Sequence, residues 1–160
     1  ASDVYKRQHD IGNLVNRVDH AQSGAVMAFR ILDKMGMEPP DVAAVITAIG
    51  HHDDSTAYPV NAIAAALILA DKTDVRRSRV RNKDMSTFDI HDRVNYSVER
   101  SEVLLDLPGR TVTLSLSINT EVCAVMDYFE IFLGRMMLCR KSAEILGTTF
   151  KLTVNGRKVL

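Results

Sequence analysis

Tryptophan is absent from this 160-residue chain, and aromatic residues make up only 6% of it. Aliphatic side chains and methionine must therefore fill the interior. Cysteine is nearly absent too. Only Cys123 and Cys139 occur, without paired spacing, which excludes a disulfide framework and a cysteine-rich zinc module. Both fall in an apolar helical pattern and read as reduced core thiols, so a reducing cytoplasm is the expected location. Long apolar runs are missing: the longest, Ala62 to Ala70, is far too short to cross a bilayer. The start carries Asp3, Lys6, Arg7 and His9 where a secretory signal would place apolar residues. Charge of one sign is not in excess either. The net charge is zero, which argues against a generic nucleic-acid or membrane-surface binder. The 46% hydrophobic content suits one compact core, or one core with a small appendage.

Helical periodicity dominates the first two thirds. Val26, Phe29, Ile31, Leu32 and Met35 recur at spacings of three and four, and Gly36 is placed to cap that helix. Pro39-Pro40-Asp41 opens a second helix carrying Val42, Val45, Ile46 and Ile49 on one side, ended by Gly50. Ser55 to Pro59 reads as loop. Asn61 begins a third helix, apolar on every face from Ala62 to Ala70, which predicts a helix covered on all sides. A fourth is expected over Asp89 to Ser97. Thereafter the period becomes two. Val103, Leu105 and Leu107 alternate with Glu102 and Asp106, Pro108-Gly109 marks a turn, and Thr111 to Ile118 alternates cleanly. Asn119 or Thr120 is placed to cap a long helix from Glu121 to Leu146, striped by Val122, Val125, Met126, Phe129, Phe132, Leu133, Met136 and Ala143. Phe150, Leu152 and Val154 form another strand before the hairpin-type Asn155-Gly156. The expected architecture is mainly α, a helical bundle over residues 9–98. An α+β extension over 99–160 would follow, an antiparallel sheet with one long helix.

Chemistry concentrates in His9-Asp10, His20, His51-His52 with Asp53-Asp54 behind them, and Asp71. A carboxylate ending the most apolar helix is costly unless paired or cation-bound. Imidazole nitrogen with carboxylate oxygen suits Mn, Fe, Co, Ni or Zn, with Mg as a further candidate. Taken singly, each residue has a plainer reading. Asp71 could pair with Lys72, Arg76 or Arg77; His20 could lie on the surface; His51-His52 could be a solvated helix end. His91-Asp92 is a second His-Asp pair, in a polar stretch without partners, and reads as structural.

Order and spacing add a further signal. His9-Asp10-Ile11-Gly12, His20-Ala21-Gln22-Ser23-Gly24-Ala25, Ala48-Ile49-Gly50-His51-His52 and Ile68-Leu69-Ala70-Asp71-Lys72 succeed one another. This succession resembles the HD superfamily of metal-dependent phosphohydrolases, and most the His-Asp-Ile-Gly branch with additional histidines. The tail, with Arg76 to Asp84 and Phe88 to Asn95, is also similar to that of small bacterial HD-domain proteins. The resemblance covers roughly residues 9–77. It implies that His9, Asp10 and Asp71 hold a first metal. It also implies that His20 and His52, with His51 as the alternative neighbour, hold a second or contact substrate phosphate. Asp10 would bridge the two. One or two divalent ions are thus the implied cofactor. The pattern departs from the family at two places. No early histidine precedes His9, and Asn13 stands where cyclic-dinucleotide phosphodiesterases carry lysine. The string Asp3 to Gln8 also resembles translated sequencing-adapter read-through. Residues 1–8 are therefore expected to be non-native, with a native N-terminal helix missing.

The expected activity is hydrolysis of a phosphomonoester or phosphodiester in a nucleotide-like small molecule by metal-activated water. Asp53 or Asp54 is a candidate general base. Lys72, Arg76 and Arg77 are candidate phosphate contacts, since Arg76 would lie about one helical turn beyond Asp71; a solvated, salt-bridged face is the plainer reading of that stretch. The competing hypothesis is a non-catalytic metal- or nucleotide-binding scaffold that forms homo-oligomers through its C-terminal extension.

Overall fold

A computed structural model describes residues 8–80 and 82–160. The expectation of a non-native start falls on residues that, up to Arg7, lie outside those described. The fold is α+β, and the chain forms two compact units, Ala1–Asp71 and Lys72–Leu160. The division lies between Asp71 and Lys72. The helix over Ile90–Ser97 packs on the turn at Arg77–Arg79 and on the long C-terminal helix, so it belongs with the sheet. Among the described residues no helix is long and apolar enough to cross a membrane.

The first unit contains a 3-10 turn, Ile11–Leu14, and helices α1 (His20–Lys34), α2 (Pro39–Gly50) and α3 (Ala62–Lys72). Proline opens α2, where its missing N–H costs nothing. The side chain of Asn61 accepts from Ala64 N at 2.8 Å and so caps α3. The buried face of α1 is not the expected stripe. Ala21, Gly24 and Ala28 face inward, while Val26, Phe29, Ile31 and Met35 are exposed. Small residues win because they let α1 approach its neighbours closely. A Cβ on Gly24 would lie 3.3 Å from Gly12 N, His9 O and Ile49 Cγ2 alike. Helix α3 is likewise not covered on all sides. Ala64, Ala65, Ile68 and Leu69 are buried, but Ile63 is 49% exposed.

The second unit holds α4 (Ile90–Ser97), β1 (Val98–Asp106), β2 (Thr111–Ile118), α5 (Val125–Ile145), β3 (Thr149–Val154) and β4 (Arg157–Lys158). Asp89 caps α4 by accepting from Asp92 N at 2.7 Å. The sheet has the order β1-β2-β3-β4 and is mixed, where sequence pattern predicted an antiparallel one. The tight turn after β1 makes β1–β2 antiparallel, but α5 carries the chain back along the sheet, so β3 runs parallel to β2. Asn155 and Gly156, both at positive φ, turn the chain into β4.

Alternation works as expected in the two central strands. Val112, Leu114, Leu116 and Ile118 are buried with Phe150, Leu152 and Val154. Helix α5 starts later than the sequence suggested. Asn119 caps a turn instead, accepting from Glu121 N at 3.0 Å. Its buried face is Tyr128, Phe132, Met136, Cys139 and Ala143, while Met126 and Leu133 are exposed. Apolar residues on several faces made the stripe ambiguous, and the aromatic pair Tyr128–Phe132 decided which one packs. Cys123 and Cys139 are buried and are not joined in a disulfide.

Candidate metal centre

The first unit gathers its histidines through backbone geometry. The segment carrying His9-Asp10 lies directly on the start of α1. A Cβ on Gly12 would run into the His20 carbonyl and Gly24 N, so glycine is the side chain that fits. His20 is the first residue of α1, entered through Asp19 at φ 54°. His51 and His52 follow the last turn of α2, and their rings turn back onto carbonyls of that turn that also accept the His51 and His52 backbone N–H groups. The Nδ1–H of His51 donates to Thr47 O at 2.9 Å, and that of His52 to Ile49 O at 2.6 Å. Gln22 Nε2 donates to Gly50 O at 3.2 Å, clamping α1 onto the same helix end.

These bonds fix tautomers. A carbonyl only accepts, so Nδ1 of His52 carries the hydrogen, as does Nδ1 of His20, which donates to Arg17 O at 3.1 Å. Each neutral ring then presents the lone pair of Nε2 to the interior. The two Nε2 atoms face each other at 3.2 Å. Two lone pairs at that distance repel, and a proton or cation between them removes the repulsion.

A carboxylate sits in the same place. Asp10 Oδ1 lies 3.3 Å from His20 Nε2 and 3.5 Å from His52 Nε2, while its Oδ2 lies 3.7 Å from His9 Nε2. His9 Nε2 is also 3.5 Å from Asp71 Oδ1. Among the described residues neither ring nitrogen of His9 finds a hydrogen-bond partner, although the residue is buried. A buried imidazole with both nitrogens unsatisfied is costly, and a cation ligand is one way to satisfy one of them. When Nε2 of His52 also carries a hydrogen, its hydrogen bond holds the Asp10 carboxyl down to about 2, against the opposing effect of burial. Positive charge on His9 and His52 acts in the same direction, and Asp71 opposes it.

His9, Asp10 and His52 each offer a ligand atom, all within 4.8 Å of one another, so this group could hold a metal ion. His20 joins at one end through Asp10 and His52, and Asp71 at the other through His9. Asp53 stands at the margin, 3.8 Å from His20 Nε2, and also accepts from Ser55 Oγ at 2.6 Å. Asp54 is exposed, and His51, turned to Thr47, is outside the three-residue group.

The basic stretch behaves differently from expectation. Helix α3 ends at Lys72, so Arg76 does not stand one helical turn beyond Asp71; its backbone is extended at φ −163°. Arg76 Nε pairs with Asp74 at 2.9 Å. Arg77 donates to Tyr96 O at 2.7 Å and stacks 4.4 Å from that ring. Lys72 is buried. His91 of the second His-Asp pair is exposed on α4.

Sequence reasoning assigned no role to Gly12, Gly24 and Gln22 in building this site. A glycine inside a helix lowers helix stability by about 1 kcal/mol relative to alanine. Gly24 in α1 was therefore a legible sign of close backbone approach. No protein-family model, curated protein or solved structure matches the chain.

Proposed function

We propose that this chain is a divalent-metal-dependent phosphohydrolase of the HD type, acting on a phosphomonoester or phosphodiester of a nucleotide-like small molecule. The observation carrying this reading is the division of Asp10 between imidazoles, Oδ2 toward His9 and Oδ1 toward His20 and His52. A single carboxylate facing donors on both sides suits one or two cations. Asp71, His9 and Asp10 would hold the first, and Asp10, His20 and His52 the second. A divalent cation in such a ligand set acidifies water and polarises a phosphoryl oxygen.

The remaining roles fall to the protein. The carbonyls of Arg17 and Ile49 keep His20 and His52 in the tautomer that directs Nε2 inward. The His52 ring and the positive charge of His9 and His52 favour the ionised form of Asp10, so it presents a carboxylate to the imidazoles on both sides. Asp53, beside His20, is the carboxylate placed to take a proton from an attacking water; Asp54, exposed, is the weaker candidate. A phosphate-binding role for Lys72, Arg76 and Arg77 belongs to the same proposal and requires Arg76 to exchange Asp74 for substrate.

Metal analysis of the purified chain, followed by phosphate release from a nucleotide panel with Mn or Mg, tests the reading. We expect bound divalent metal and release from at least one nucleotide. Asp71→Ala should lower metal occupancy sharply, and unchanged occupancy would remove Asp71 from the site. Bound metal with every substrate untouched would favour a non-catalytic binding module.

A further inference from the structure

Strand β1 is an edge of its sheet, and its outer side pairs with no other strand among the described residues. It is long, nine residues from Val98 to Asp106, and contains neither proline nor lysine. Those are two of the devices that keep an edge from pairing with another chain; the charges it does carry, on Glu99, Arg100, Glu102 and Asp106, restrict which partner and register it accepts. A bulge interrupts it only between Val98 and Arg100, leaving 100–106 regular.

The residues on its two faces are also informative. Val103 pairs with Leu114 and Leu105 with Val112, so both point to the same face as the buried core of β2. Leu114 is fully buried, yet Val103 is 45% and Leu105 66% exposed. The apolar layer under α5 therefore continues past its cover, along an open edge. On the opposite face Arg100, Glu102, Leu104 and Asp106 form a row.

We propose that two copies of this chain associate through β1, pairing antiparallel about a two-fold axis at Val103. The register follows from charge and length of overlap, since centring on Leu105 opposes only 104–106. Two-fold antiparallel pairing on one face requires the two opposed residue numbers to have an even sum. Centring on Glu102 opposes Glu102 to itself, and centring on Leu104 opposes Glu102 to Asp106. Centring on Ser101 draws the bulge into the pairing. Centring on Val103 pairs the regular stretch 100–106 with itself, opposes Arg100, which pairs with Glu102 of its own strand at 2.6 Å, to Asp106, and leaves no like charges face to face. It also places the uncovered Val103 side chains against each other, in an isologous contact. A second copy is therefore favoured over an unrelated strand, because the edge is complementary to itself.

Light-scattering mass measurement on the full chain across the micromolar range tests this. We expect a dimer mass that Arg100→Asp halves and that Arg100→Asp with Asp106→Arg restores. Oxidised Val103→Cys should form a disulfide-linked dimer, because directly opposed Cβ atoms lie about 4.5–5.5 Å apart. Leu104→Cys, opposite Glu102 of the partner subunit, should form little. The buried native thiols do not compete. A monomer throughout, or a dimer indifferent to both the charge reversal and the position of the introduced cysteine, overturns the proposal. The metal-dependent activity is independent of this outcome.

Discussion

Replacing Gly12 by alanine tests how the site is assembled. The added Cβ would run into the His20 carbonyl oxygen and sit 2.6 Å from Gly24 N and 2.8 Å from His20 C. All three are backbone atoms, and none can rotate away as a side-chain tip would. Overpacking typically costs about 1–3 kcal/mol, and an obstruction made of backbone belongs at the upper end. For a chain of this length, about 3 kcal/mol lowers the melting temperature by about 6–12 °C. The same displacement pushes His9-Asp10 away from His20, so divalent-ion affinity should fall with it. Gly134→Ala is the matched control. It makes the same chemical change on α5, where nothing lies within 4 Å, and should raise stability by about 1 kcal/mol. Thermal melts followed by circular dichroism, with calorimetric Mn titrations, measure both quantities. A Gly12→Ala protein that melts with the wild type and binds Mn equally would refute this account of the close approach.

Three further outcomes follow from particular contacts. Burial pushes the Tyr128 phenol well above the usual tyrosine range, helped by the neighbouring Cys139 and opposed by Arg135. The folded state thus binds this proton more tightly. The resulting stability is present below about pH 10 and is lost at about 1.4 kcal/mol per pH unit as pH rises further. Tyr128→Phe should lack that alkaline loss in urea titrations, and an unchanged difference between the two proteins from pH 9 to 11 would contradict it. Asn155 accepts from Ile118 N at 2.7 Å and donates to Ile118 O at 3.0 Å while holding φ at 49°. Asn155→Ala should cost about 3 kcal/mol, and Asn155→Gly about 1 kcal/mol less, because glycine tolerates the left-handed backbone; equal losses would discount the backbone contribution. Arg76→Ala with Arg77→Ala removes two ion pairs, the Arg77 hydrogen bond to Tyr96 O and its stacking on that ring, and should cost about 2 kcal/mol. Its expected effect is a raised KM with kcat and metal content intact, and an unmoved KM would confine both arginines to structure.

Sequence pattern located most elements because their signals are local. Proline at the start of α2, Asn61 before α3 and period two through β2 each act within a few residues. What escaped it depended on contacts between distant positions. Neither Thr111 nor Thr149 announces that their strands run parallel; that follows from the length and return path of α5. The exposed stripe of α1 read as core because apolar periodicity does not reveal that Gly12 and Gly24 draw the helix in by its small residues. At the site, residue types and order pointed to His9, Asp10, His20, the adjacent His51-His52 and Asp71, and the metal-type group in the structure takes His52 of that pair. The distances between them, and the hydrogen bonds that orient the rings, were not legible. Arg76 was misplaced because nothing local marks the end of α3 at Lys72.

The parallel pairing of β2 with β3 also dictates an order of events on the ribosome. The β1–β2 hairpin can close as soon as its turn has emerged, since its partners are neighbours in the chain. The other side of β2 must then wait, exposed, until all of α5 and the strand after it have been synthesised. During that interval the long β2 presents an unpaired border beside that of β1, where the finished sheet ends on the two-residue β4, and the nascent protein is most open to misassembly.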